Sequence, residues 1–234
     1  MHPTDKAARV AGILYLFLGL AGPFCLIYVP RTLIVRGDAT ATASKIMASE
    51  MLFRTGIVVE LFGSIVFLFV AMALYRLLSG VNKNNAVLMA TLAVVSVPIS
   101  LLNVVNELTA LTLLHGADYL SVIDKNQLNA LAMLFLRRYS QGLVVNEILW
   151  GLWLFPFGLL VMRSGFLPRI LGILLIVNAF AYPAVTLTSI LAPSYVSLVS
   201  QWVFPAQFGE LWIMLWLLIR GVKVERLAPA IASA

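Results

Sequence analysis

The sequence predicts an all-α, polytopic membrane protein: a six-transmembrane-helix bundle with short interfacial helices in its two long outer loops. Three observations carry this reading. Of the 234 residues, 62% are hydrophobic and 11% are charged, whereas a soluble chain is about half apolar and about a quarter charged. The apolar residues gather into runs of roughly 20, the length that crosses a bilayer. The 16 basic residues stand singly or in pairs at the ends of those runs, where they act as membrane-edge anchors. The run from Arg137 to Arg163 combines all three, with basic residues at both ends and Asn146-Glu147 near its middle.

The first span is expected from Ala8 to Val29, ending at Pro30-Arg31. It is too long for a signal h-region and is followed by no A-x-A site, so it reads as a retained helix. Gly12, Gly19 and Gly22 predict a smooth packing flank, and Pro23 predicts a bend. Gly37-Asp38 reads as a turn and N-cap opening a short surface helix at Ala39. The second span covers Met51 to Leu78, with Gly56, Glu60, Gly63 and Phe67 on one face. That spacing points Glu60 at a neighbouring helix.

The third span covers Ala86 to His115, with Pro98 inside it and Ser96, Ser100, Asn103, Glu107 and Ala110 forming one stripe. Between Gly116 and Arg138, Asp124 and Gln127 match a capping-box variant, opening an interfacial helix that carries Leu128, Leu131 and Phe135. The fourth span follows, with Ser140, Glu147, Gly151, Leu154 and Gly158 on one side and a kink expected at Pro156. The turn RSGFLPR leads into the fifth span, Ile170 to Leu191, which carries Asn178, Tyr182, Thr186 and Ser189. The sixth runs from Trp202 to Ile219 with Gln207, Glu210 and Met214. Residues 1–221 are thus expected to form a single transmembrane helical domain, and 222–234 a short disordered cytoplasmic tail.

An even number of spans leaves both termini on one side. Nine basic residues, from Lys6 and Arg9 to Arg220, Lys223 and Arg226, fall there, against seven in the two longer loops opposite. Their density near the helix ends favours both termini in the cytoplasm. Tyr28, Tyr119, Tyr139, Tyr195 and Trp202 would then form the outer aromatic belt.

Four spans each hold one glutamate. Counted inward from edges at Met51, His115, Arg138 and Trp202, the residues Glu60, Glu107, Glu147 and Glu210 lie roughly 12–14 Å deep at 1.5 Å per residue. A charged side chain at a helix centre costs about 2.5–3.5 kcal/mol even on insertion scales, so carboxylates facing acyl chains would be hard to tolerate. Meeting in the interior, they could share protons, hold a cation, or accept hydrogen bonds from Asn103, Asn106, Asn146 and Gln207. Each could equally be neutral and join helices. The tetrapeptide VVNE recurs at Val104–Glu107 and Val144–Glu147, a match that short apolar sequences make by chance.

Other chemistries find little support. His2 and His115 are too few for Glu-x-x-His di-iron pairs or bis-histidine haem, no lysine sits mid-span, and no G-x-S-x-G occurs. The single Cys25 excludes an internal disulfide and multi-cysteine metal sites, and inside an apolar helix it reads as an inert thiol. His115 with Glu107 is the one candidate metal pair. No cofactor is expected, and the charge of +6 is not clustered as nucleic-acid or specific anionic-lipid binding requires.

Several segments are also familiar. KAARVAGILYL, LIVRGDATATASKIMASEMLFRTG, ALYRLL followed by VNK, and above all RSGFLPRILGILL resemble the bacterial domain-of-unknown-function family 4386, over most of residues 6–190 and most weakly from Ser194 onward. The resemblance implies a six-helix bacterial plasma-membrane protein and carries over no catalytic residues. Glu60 falls where such proteins tend to have an acid. Three functional readings follow: binding or carriage of a small solute, cation or protons through the carboxylates; a non-catalytic accessory or structural subunit; and an intramembrane metal-dependent enzyme. The partners expected are the lipid bilayer, an unidentified small ligand and a second copy of the chain.

Overall fold

Helix-forming apolar runs with polar punctuation become eight α-helices in the computed structural model, which describes residues 3–222 and, within them, every side chain except those of residues 3–7 and Gln207. In chain order these are α1 (Pro3–Pro23), α2 (Val29–Leu33), α3 (Ala39–Ala48), α4 (Glu50–Leu78), α5 (Lys83–His115), α6 (Lys125–Arg163), α7 (Arg169–Leu191) and α8 (Val196–Ile219). A π-turn at Phe24–Tyr28 joins α1 to α2, and single 3-10 turns precede α6 and α8. No strand occurs among the described residues. Six helical segments are long and apolar enough to cross a membrane: Ala8–Leu33, Glu50–Leu78, Lys83–His115, Lys125–Arg163, Arg169–Leu191 and Pro193–Ile219. The chain is a multi-pass membrane protein. The expected tail from Lys223 lies outside the described residues.

The helix boundaries follow local chemistry. Asp38 Oδ1 accepts from the Ala41 N–H at 2.8 Å to start α3, and Asn82 Oδ1 accepts from the Asn85 N–H at 2.9 Å to start α5, as short polar caps do for orphan amides. Gly37 and Gly116 adopt φ of 82° and 68°, left-handed values that turn the chain without a Cβ clash. The π-turn follows Pro23 directly. A proline lacks the N–H that would continue the ladder, so a wider turn can absorb the loss. Pro98, Pro156, Pro183 and Pro205 each lie within a helix that continues on both sides.

One expectation needs correcting. The interfacial helix predicted between Gly116 and Arg138 is not separate but is the first part of α6, a single helix of 39 residues. Its start matches the predicted cap, with the Asn126 N–H donating to Asp124 Oδ1 at 2.8 Å. Nothing between Leu128 and Gln141 breaks a helix. Arg137 and Arg138 are exposed, and polar side chains on a helix exterior leave its backbone ladder intact. At 1.5 Å per residue α6 is about 58 Å long, well beyond a hydrocarbon core of about 30 Å.

By internal contacts the chain divides into two compact units. The first comprises Met1–Leu18, Val66–Val97 and Val144–Ala234, and the second Gly19–Ile65 and Pro98–Leu143. In the first unit, Trp153 (1% exposed) centres the core, stacked on Phe157 with centroids 5.5 Å apart and meeting Phe67 edge-on at 5.0 Å. Close helix approach there depends on glycine, as is usual where lipid supplies no hydrophobic drive. A Cβ on Gly151 of α6 would lie 2.5 Å from Pro183 Cδ of α7, and one on Gly158 2.7 Å from the Gly172 carbonyl oxygen. Gly12 of α1 touches the backbone of Leu218 in α8. Its expected companions behave differently: Gly19 is exposed, and a Cβ on Gly22 would meet nothing within 4 Å. That flank turns outward with Leu20 (67% exposed).

In the second unit, Val29, Leu33, Ile46, Phe53, Ile57, Leu111 and Leu128 belong to one buried cluster. The short helix α3 is fixed to the loop before it: Ile46 is buried, and Thr42 Oγ1 donates to the Asp38 carbonyl at 2.8 Å while accepting from the Val35 N–H at 3.0 Å. Large apolar side chains such as Leu102, Phe180 and Ile190 remain exposed on the spans, the surface that acyl chains cover.

Candidate functional site

The second unit holds a polar centre around Glu60 and Glu107. Gly56 and Gly63 flank Glu60 on the buried face of α4, as their helical spacing requires. Glu60 Oε2 accepts a short hydrogen bond from the Tyr139 hydroxyl of α6. The Tyr139 carbonyl accepts from Asn103 Nδ2 of α5 at 2.9 Å, and the Asn103 carbonyl accepts from Asn106 Nδ2 at 2.9 Å. An alanine at Gly142 would drive its Cβ into the Asn103 carboxamide, so glycine there admits the asparagine. Glu107, one turn from Asn103, is 8% exposed. It is near enough to Glu60 for the two charges to repel, and its Oε2 has no hydrogen-bond partner. Cys25 Sγ donates to the Gly56 carbonyl at 3.4 Å beside this pair, a buried thiol as expected.

The first unit holds a second polar centre around Glu210. Its Oε2 accepts from the Tyr15 hydroxyl of α1 at 2.6 Å. Its Oε1 accepts from Asn178 Nδ2 and the Tyr182 hydroxyl of α7 at 2.9 and 3.1 Å. Three donors on two helices therefore hold one carboxyl group of α8. Asn178 is fully buried, yet its Oδ1 has no partner. Glu147 of α6 lies within electrostatic reach of Tyr182, and its Oε2 is likewise buried without a partner. Nearby, Thr186 Oγ1 donates to the Val144 carbonyl at 2.9 Å, and Asn146 Nδ2 to the Ser96 carbonyl at 3.2 Å.

The four glutamates thus face protein, two in each unit. Of the amides named from sequence, Asn103, Asn106 and Asn146 each donate to a backbone carbonyl, while the Gln207 side chain lies outside the described ones. Tyr15, Tyr139, Tyr182 and Asn178 donate to Glu60 and Glu210, and Thr186 is a side-chain partner of Glu147. Asn178 and Tyr182 were visible as a stripe with Thr186. Tyr15 continues the small-residue face of Ala8, Ala11 and Gly12, a signal that marks a close helix contact without naming its partner. Tyr139 had been placed in the outer belt but is 5% exposed. It follows Arg138 directly, so the basic doublet drew it to the edge, whereas its helical phase turns it inward. Tyr28, Tyr119, Tyr195 and Trp202 are exposed, as belt residues would be.

His115 Nε2 lies 3.1 Å from Glu50 Oε1, which also accepts from Arg54 Nε. A surface recess beside them is lined by Arg54, Leu108, Leu111, Thr112, His115, Gly116 and Ala117. Glu107 is not part of that group, and no cluster of three or more His, Cys, Asp or Glu able to hold a metal occurs among the described residues.

Six apolar spans define the class: a multi-pass α-helical membrane protein, with one glutamate in each of four spans. Over residues 10–221 the chain matches the family described as a domain of unknown function, DUF4386, and it belongs to that family. It is 28% identical over 158 residues to an uncharacterised protein of Archaeoglobus fulgidus, covering 67% of this chain and 77% of that protein. No solved structure matches it.

Proposed function

We propose that the protein binds a small cation, or protons, at carboxylates inside the membrane and carries them across. Its acidic ligands are drawn from the four membrane glutamates, Glu60, Glu107, Glu147 and Glu210. The observation that carries the reading is that Glu107 Oε2 and Glu147 Oε2 are each buried without a hydrogen-bond partner. Such an atom costs about 1–3 kcal/mol, and more than 90% of buried polar groups in proteins avoid that cost. A proton or a cation would relieve it. Ionisable groups kept within a span mark ion and proton pathways.

The test uses purified protein in detergent and in liposomes. Thermal stability should depend on pH and on added cations, and Glu107→Gln and Glu147→Gln should each blunt that dependence. A pH jump should drive flux in liposomes. Neither dependence nor flux in the wild-type protein would remove the reading.

A second reading is an accessory subunit whose glutamates fix helix register. It is favoured by Glu210, which accepts three hydrogen bonds and needs no ligand. Both termini are assigned to the cytoplasm of a bacterial plasma membrane, on the density of basic residues at that side's helix ends. A reporter active only in the cytoplasm, fused at the C-terminus, should be active, and an inactive one reverses the orientation.

A further inference from the structure

We infer that the four membrane glutamates divide by role within each unit: Glu107 and Glu147 each take up one exchangeable positive charge, while Glu60 and Glu210 are held in place by tyrosine hydroxyls. This rests on the functional reading above and names the atoms that would carry it.

In the second unit, the Tyr139 hydroxyl occupies Glu60 Oε2. Tyr139 is itself fixed by Asn103, whose Nδ2 holds its carbonyl at 2.9 Å. Glu107 beside it is 8% exposed and has an oxygen that nothing occupies. The titratable groups facing Glu107 are Glu60 from α4, Tyr139 from α6 and Cys25 from the π-turn. None of these is cationic. In the first unit the same division recurs with different residues. Tyr15 and Tyr182, with Asn178, hold both oxygens of Glu210. Glu147, which also meets the Thr186 side chain, keeps an open oxygen, Oε2. Tyr182 of α7 is the titratable group facing Glu147.

The chemistry of the occupant follows from the ligand count. Calcium takes about 6–8 oxygen ligands and magnesium demands a near-octahedral shell. No described cluster supplies three acidic or imidazole groups. One open carboxylate oxygen beside a tethered neighbour suits a proton, and a monovalent cation only if it recruits further oxygens. Tyrosine hydroxyls already satisfy an oxygen of Glu60 and of Glu210, whereas the open oxygens of Glu107 and Glu147 gain a partner only by taking up a charge, which is why the roles separate.

A lipophilic carbodiimide tests this on the full chain in liposomes at mildly acidic pH, because the reagent adds protonated carboxyl groups in apolar surroundings and leaves a stable acylurea. Peptide mass spectrometry should find label on Glu107 and Glu147 and none on Glu60 or Glu210. Glu107→Gln and Glu147→Gln should each lose their own label and keep the other. Tyr139→Phe should add label at Glu60. Slower labelling in sodium or lithium assigns a monovalent cation to the same oxygens, and unchanged labelling assigns the proton alone. Label on Glu60 or Glu210 in the wild-type protein, or none on Glu107 and Glu147, overturns the division. If labelling follows the division while flux and ligand-dependent stability are absent, the carrier reading fails and the two open acids stand.

Discussion

Removing the Tyr15 hydroxyl should destabilise the protein more than removing that of Tyr182, although both donate to Glu210. Tyr15→Phe deletes the bond to Oε2, the hydroxyl being its donor among the described residues. Tyr182→Phe deletes a bond to Oε1, which keeps Asn178 Nδ2 at 2.9 Å. Both substitutions preserve ring volume, so packing around Trp153 and the glycine contacts should survive. A hydrogen bond between membrane helices averages about 0.6 kcal/mol and reaches about 1.7 kcal/mol. Tyr182→Phe should fall near the lower figure. Tyr15→Phe also leaves a buried oxygen unpartnered, a penalty of about 1–3 kcal/mol, so its total should be about 1–2 kcal/mol after relaxation. Equilibrium unfolding in mixed micelles of detergent and denaturing surfactant resolves that difference. Equal losses, or a larger loss for Tyr182→Phe, would refute the geometry of the three-donor cage. A loss near zero for Tyr15→Phe would mean that Glu210 finds another donor without rearrangement.

The remaining predictions concern glycine. Gly151→Ala places a methyl 2.5 Å from Pro183 Cδ and 2.8 Å from the Ala179 carbonyl oxygen; overpacking of this kind costs about 1–3 kcal/mol, and the same unfolding assay should show it. Gly22→Ala meets nothing within 4 Å and should gain up to about 1 kcal/mol from helix propensity, so a loss there would place an unseen neighbour on that face.

How much of this could be read without coordinates differs by element. The stripe Ser96, Ser100, Asn103, Glu107 and Ala110 is buried throughout, because helical phase and the expense of exposing polar groups to lipid are both local properties. The cap at Asp38 was likewise legible from a few adjacent residues. The junction inside α6 was not: its amphiphilic first part and apolar second part look like two elements, and only backbone continuity makes them one. Tyr139 was misassigned for a related reason. Its sequence neighbour Arg138 suggests the membrane edge, while its interior position depends on Glu60, seventy-nine residues away.

Composition and periodicity by themselves determined that this chain is a bundle of membrane-crossing helices with acids on their inward faces, since hydrophobic length and helical phase are set within each segment. Which donor meets which acid was decided by tertiary structure alone. The depth count placed the four glutamates at a similar level, but a hydrogen bond depends on a separation of about 3 Å between atoms on different helices, and that depends on packing. Close approaches at Gly12, Gly142 and Gly151 bring particular side chains together. They put tyrosines on Glu60 and Glu210, and they leave Glu107 and Glu147 each with a buried oxygen unpartnered.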